Sequence, residues 1–178
     1  GAPLLPVAIA LLLATFMVKS AVFPFHFWQP DFHTVSPTAV SAMLSSVVVK
    51  LGVYGFVRMT TLLFVEQAPA IQGFLVLFGI VGVVYGGLGA VGTHNVKRML
   101  AYSTLAQVGF ILVAVGWGKA PALAAAIVFT FNHSLIKAAM LMLAGVVASR
   151  APVKTAAFEV VSGLGKAMPA TGALFLLG

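Results

Sequence analysis

Residues 19–58 read KSAVFPFHFWQPDFHTVSPTAVSAMLSSVVVKLGVYGFVR. The stretch holds two lysines in apolar surroundings, Lys19 and Lys50, with Pro24, Pro30 and Pro37 between them. Proline lacks an N–H, and its ring clashes with the carbonyl four residues back, here that of Ser20. A helix carrying Lys19 is therefore expected to kink or break before Pro24. Within a bilayer, broken helix is tolerated only where it is buried or lines a wet cavity, and transporters place such breaks at their ion sites.

The rest of the chain puts this stretch in a membrane. Of 178 residues, 61% are hydrophobic and 7% charged, and the mean hydropathy is +1.12. A water-soluble domain carries about 25% charged residues. This composition excludes a cytosolic enzyme, a secreted domain and a disordered tail. The net charge of +7 is spread singly rather than in a tract, which argues against nucleic-acid binding. Cysteine is absent, so this chain supplies no disulfide, iron–sulfur or thiolate metal site. His26 and His33 alone make a poor zinc site, and neither metal nor cofactor is expected.

Five apolar segments are long enough to span, near 4–28, 38–63, 70–92, 98–117 and 121–148, and a shortened sixth starts near 167. A bilayer takes about 20 helical residues. The expected fold is thus an all-α polytopic transmembrane bundle of five full spans plus a truncated sixth, with one proline-broken helix. The apolar start and the short apolar end suggest an internal piece of a longer protein. Connections after spans 1, 3 and 5 hold Lys97, Arg98, Arg150, Lys154 and Lys166, against Arg58 and Lys119 after spans 2 and 4. The positive-inside rule then places the odd connections on the cytoplasmic side. Gly79, Gly82, Gly86 and Gly89 share one face of span 3, a surface for close helix packing rather than chemistry.

Lys19, Lys50 and Lys137 all fall inside spans. Charged and lipid-exposed, each costs about 2.5–3.5 kcal/mol, so the three together cost roughly 8–10 kcal/mol. They are expected to face a polar interior instead. Desolvated amines exchange protons more readily than free ones, which suits a relay. His133 lies four residues before Lys137 and shares its helix face. The polar set Tyr102, Ser103, Thr104 and Gln107 suits either packing or a water chain. The three acidic residues, Asp31, Glu66 and Glu159, sit in connections. A carboxylate partner for the lysines is therefore expected outside this piece or in another subunit.

The 19–58 string resembles the antiporter-like proton-translocating subunits shared by respiratory complex I, membrane-bound hydrogenases and Mrp-type sodium/proton antiporters. The likeness rests on a helix lysine, a proline-broken helix, a W-x-P-D-x-H turn at Trp28, Pro30, Asp31 and His33, a P-T-x-V-S-A start at 37–42, and a lysine 31 residues after the first. VKRMLAYSTLAQVGF at 96–110 and FNHSLIKAAMLMLAG at 131–145 are similar to two further family blocks. The resemblance implies inverted helix repeats, each with a broken helix. It implies a proton relay through Lys19, Lys50, His133 and Lys137, with a glutamate partner for Lys19 before residue 1. Residues 1–178 then form the central part of a proton-conducting domain, partnered by other membrane subunits in a prokaryotic plasma membrane. Gln29 and Phe32 depart from the family's Leu and Ala. Leu44 and Phe129 stand where the long complex I branch often has His.

Leu44 and Phe129 favour the branch that holds the D component of the Mrp-type sodium/proton antiporters and its complex I and hydrogenase cousins; the assignment within that branch stays open, and the antiporter D component is the first reading. The alternative is a proton-pumping component of an NADH-quinone oxidoreductase or a membrane-bound hydrogenase, with flavin and iron–sulfur chemistry in other subunits. Protons, and in the antiporter case sodium, are the ions moved. Two further readings stay open on the residues alone. One is a transporter using the lysines for an anionic substrate; the other is a scaffold whose lysines all reach lipid headgroups.

Overall fold

The computed structural model describes residues 4–151 and 156–177. Its elements are α1 (Leu5–Lys19), α2 (Trp28–Val35), α3 (Thr38–Leu63), α4 (Ala68–Val91), α5 (Val96–Gly116), α6 (Ala120–Arg150), and three short helices, α7 (Phe158–Val161), α8 (Leu164–Ala167) and α9 (Pro169–Leu177). No strand occurs among the described residues, and the all-α membrane bundle stands. The helices α3 to α6 are each long and apolar enough to cross a bilayer.

The first span differs from its expected extent of 4–28. Its 15 helical residues rise about 22 Å at about 1.5 Å each, short of the roughly 30 Å of hydrocarbon. The chain leaves α1 at Ser20, and Ala21 adopts a left-handed conformation at φ +52°. Val22 N–H still bonds back to Met17 O at 2.9 Å, while the Trp28 indole donates to Val18 O at 3.2 Å across the gap. The break therefore falls between Lys19 and Pro24, as the proline chemistry requires. The helix α2 lies in the connection beyond. The short apolar segment expected from near 167 holds α9, of 9 residues.

The glycine face of α4 packs against α5. A Cβ built on Gly79 falls 2.7 Å from the Gly109 carbonyl oxygen, and one on Gly86 falls 2.6 Å from the Ala106 amide nitrogen. The two backbones touch, so any side chain at these glycines pushes them apart. Around this pair an apolar core gathers Phe56, Met59, Ile71, Leu75, Ile111 and Leu112. Outward faces carry Leu77, Ile80, Leu88, Phe131 and Leu135, all exposed. Apolar residues outside and polar ones inside are what a bundle in lipid requires.

One end of the bundle collects the odd connections. Arg98 pairs with Asp31 at 3.2 Å, Lys97 reaches Ser36 O at 3.2 Å, and Val96 N–H bonds to Ala156 O at 2.8 Å. Asn95 caps α5 by accepting from Arg98 N–H at 3.2 Å. Lys154, counted with the odd-side charges, lies outside the described residues. Lys97 needs a correction: it is a buried residue in the first turn of α5 rather than a charge in a loop.

Candidate functional site

The site begins with the winding of α3. Leu44–Val48 forms a wide turn in which the Val49 N–H reaches back five residues to Leu44 O. Such turns free carbonyls for other donors and recur at functional sites. Here the Lys50 ammonium takes the Ser45 carbonyl. Helical side chains lean toward the N-terminus, so Lys50 points back along α3 toward the polar turn instead of out to lipid. It is 8% exposed.

From Ser45 the polar contacts pass to α5. Ser45 Oγ and Thr104 Oγ1 share a hydrogen bond of 2.9 Å, both residues fully buried, and Thr104 Oγ1 donates to Leu100 O at 2.9 Å. Lys137 of α6 closes on the same region, donating to Ser103 Oγ at 2.8 Å and to Leu100 O at 3.4 Å. Lys50 and Lys137 thus lie at two ends of one buried polar cluster built by three helices, Lys50 on the Ser45 carbonyl and Lys137 on Leu100 O and Ser103 Oγ, with the Ser45–Thr104 hydroxyl contact between them. His133, one turn before Lys137, is 4% exposed and stacks on Phe129 with ring centroids 6.1 Å apart. Neither of its ring nitrogens has a hydrogen-bond partner among the described residues.

Lys19 stands apart. It is exposed at the end of α1, on a shallow groove shared with Thr15, Phe16, Val18 and Leu51. Its neighbour Ser20 is the link to α3, donating from Oγ to Val49 O at 3.2 Å. The structure thus brings Lys50, His133 and Lys137 together and leaves the Lys19 side chain on the outer flank. Within the polar set, Ser103 and Thr104 join the cluster. Tyr102 packs under Gly89 and beside Tyr85.

Sequence reading missed two buried basic residues at the odd end. His33 is fully buried and lacks a hydrogen-bond partner among the described residues. Burial pushes its pKa down to about 4, and the Lys97 and Lys137 cations add to that. Lys97 reaches the Ser36 carbonyl beside a Ser36–Ser41 hydroxyl pair. Their position inside the quoted family blocks was the available signal. Asp31 and Arg98 form the single ion pair among the described residues, both well exposed. The lysine ammonium groups in the interior therefore rest on carbonyl and hydroxyl oxygens. Among the described residues no three His, Asp or Glu side chains gather to hold a metal.

Comparison with known proteins agrees with these blocks. The transmembrane family described as NADH:quinone oxidoreductase/Mrp antiporter matches residues 3–178. NAD(P)H-quinone oxidoreductase chain 4 of Trichodesmium erythraeum is 39% identical over 93% of this chain and 29% of its own length. Its Synechocystis counterpart is 35% identical over 97% of this chain and 32% of its own length. The chain spans about a third of the length of the curated relatives it matches. Among solved structures, the archaeal membrane-bound sulfane sulfur reductase superposes with TM-score 0.88 at 32% identity, over 96% of this chain and 35% of that one. The Mrp complex of Dietzia gives TM-score 0.75 at 35% identity, over 82% of this chain and 16% of that one. With the family match running over nearly every residue of this helical bundle, the chain is an integral membrane protein that belongs to the NADH:quinone oxidoreductase/Mrp antiporter transmembrane family.

Proposed function

We propose that residues 1–178 are the central, proton-conducting part of an antiporter-like subunit in a redox-driven membrane complex. The observation that carries this reading is that Lys50 and Lys137, both buried, flank one polar cluster of Ser45, Ser103, Thr104 and the Leu100 carbonyl. A proton arriving at one amine raises the electrostatic cost of a proton on the next, and this coupling is strong where water is sparse. Lys50 and Lys137 then load and unload in turn. His133, one turn from Lys137 with both nitrogens open, takes the proton onward. Lys19 is the entry to the relay, steadied by a carboxylate from elsewhere in the full protein, as the family resemblance implies.

The names of the relatives turn the preference away from the D component of an Mrp antiporter. They point toward a protein like chain 4 of the NAD(P)H-quinone oxidoreductases. The other membrane subunits of such a complex are the partners, and a prokaryotic membrane is the setting. The Mrp reading retains one specific support, the 35% identity to the Dietzia complex.

The test is Lys50→Ala and Lys137→Ala in the full complex in sealed vesicles, with dye-reported acidification measured beside electron transfer. Each is expected to lower proton translocation at least tenfold per electron transferred. Unchanged translocation in both would refute the relay. Acidification driven by a sodium gradient, with no electron donor, would favour the antiporter instead.

A further inference from the structure

We propose that Ser20 is a positioning residue that fastens the broken end of α1, beside Lys19, to the turn of α3 that carries Lys50. The proposal rests on the relay reading of those lysines. Ser20 is fully buried, and its hydroxyl donates to the carbonyl of Val49 at 3.2 Å. Each partner is the immediate neighbour of a relay lysine: Ser20 follows Lys19, and Val49 precedes Lys50.

The contact is built for close approach. Gly52, one turn beyond Val49, faces Ser20 Oγ, and a Cβ there would also lie 2.8 Å from the Phe16 carbonyl oxygen. Gly55 likewise admits the Phe16 ring, which meets Phe56 edge-on at 5.9 Å. Two glycines thus let α3 press its backbone onto the last turn of α1. Ala21, Val22 and Val49, the chain neighbours of this contact, are all buried.

Val49 also sits where α3 changes its winding, at the end of the wide turn Leu44–Val48. Rotation of the helix about this point swings residue 50. A hydroxyl holding the Val49 carbonyl therefore fixes the direction in which the Lys50 side chain leaves the helix, and with it the reach of the ammonium to Ser45 O. Ser20 acts through Lys50 and touches no proton itself. It also gives movement at the α1 break a rigid route to Lys50.

The experiment uses the assembled complex in sealed vesicles, with assembled amounts measured for every variant. Ser20→Ala is expected to slow proton translocation roughly three- to tenfold, the scale of one lost buried hydrogen bond. Ser20→Cys fills the same space with a weak donor and should stay within about twofold of Ser20→Ala. It also carries the test if Ser20→Ala fails to assemble. In a Lys50→Arg background, Ser20→Ala should cost little more, because residues acting as one unit are not additive. Wild-type rates in Ser20→Ala, wild-type rates in Ser20→Cys alone, or an undiminished further loss in the Lys50→Arg background would each overturn the proposal. If Lys50→Ala transports normally, the relay reading is what fails. If Lys50→Ala is dead while Ser20→Ala is normal, only the role of Ser20 falls.

Discussion

Replacing Thr104 by Val cuts the bridge between the two interior lysines while nearly preserving shape. Thr104 Oγ1 of α5 shares a hydrogen bond of 2.9 Å with Ser45 Oγ of α3 and donates to Leu100 O. Valine keeps the branched volume and removes the hydroxyl. Ser45 Oγ is then left buried without that partner, which costs about 1–3 kcal/mol. If the same contact conducts, the barrier to proton movement rises by a similar amount, a slowing of roughly five- to 150-fold. Thr104→Ser restores the hydroxyl and forfeits only a methyl, so it should translocate within about threefold of wild type. The assay is dye-reported acidification in sealed vesicles holding the full complex, normalised to assembled complex and to electron transfer. A Thr104→Val complex that pumps at the wild-type rate would refute the route through Ser45 and Thr104. Equal slowing in Thr104→Val and Thr104→Ser would assign the effect to packing instead.

The α4–α5 contact predicts that Gly86→Ala destabilises the complex by about 1–3 kcal/mol through overpacking, whereas Gly87→Ala, which meets nothing within 4 Å, is neutral. Thermal unfolding of both in one detergent checks this, and equal midpoints would contradict the close approach. His33 is held neutral, its pKa depressed to about 4 from 6.5 chiefly by burial and further by Lys97 and Lys137. A depressed value means the stability is present above pH 6.5 and drains away as the pH falls toward 4. Unfolding midpoints of wild type should drop over that interval more steeply than those of His33→Gln, and parallel curves would refute it. The Asp31–Arg98 pair, 3.2 Å apart with both side chains exposed, should contribute at most about 1 kcal/mol. Asp31→Asn is thus expected to shift the midpoint little and to leave translocation intact.

Local chemistry made much of the fold legible. The lengths of α3 to α6 follow from uninterrupted apolar runs, since lipid leaves a backbone no alternative to internal hydrogen bonds. The break before Pro24 follows from one missing N–H and one ring clash. The glycine face of α4 and the shared face of His133 and Lys137 follow from helical geometry over one or two turns. The first span was overdrawn because its apolar composition continues through the break. A left-handed turn at Ala21 is not marked by any glycine.

Which polar groups meet was a different matter. Lys19, Lys50 and Lys137 carry the same local signature, a lysine within an apolar run, yet two are buried on carbonyl and hydroxyl oxygens and one lies outward beside Leu51. Lys97 looked like a loop charge, and His33 like half of a poor metal site. Both are interior because α2 and α5 pack there. Sequence alone settled the long helices, the interruption before Pro24 and which residues share a helix face, because these depend on neighbours within a few residues. Only the tertiary structure decided which face met which, and so which lysines lie on one buried polar cluster. That outcome depends on how close distant backbones come, and it is fixed by small residues such as Gly52 and Gly109 rather than by the charged residues themselves.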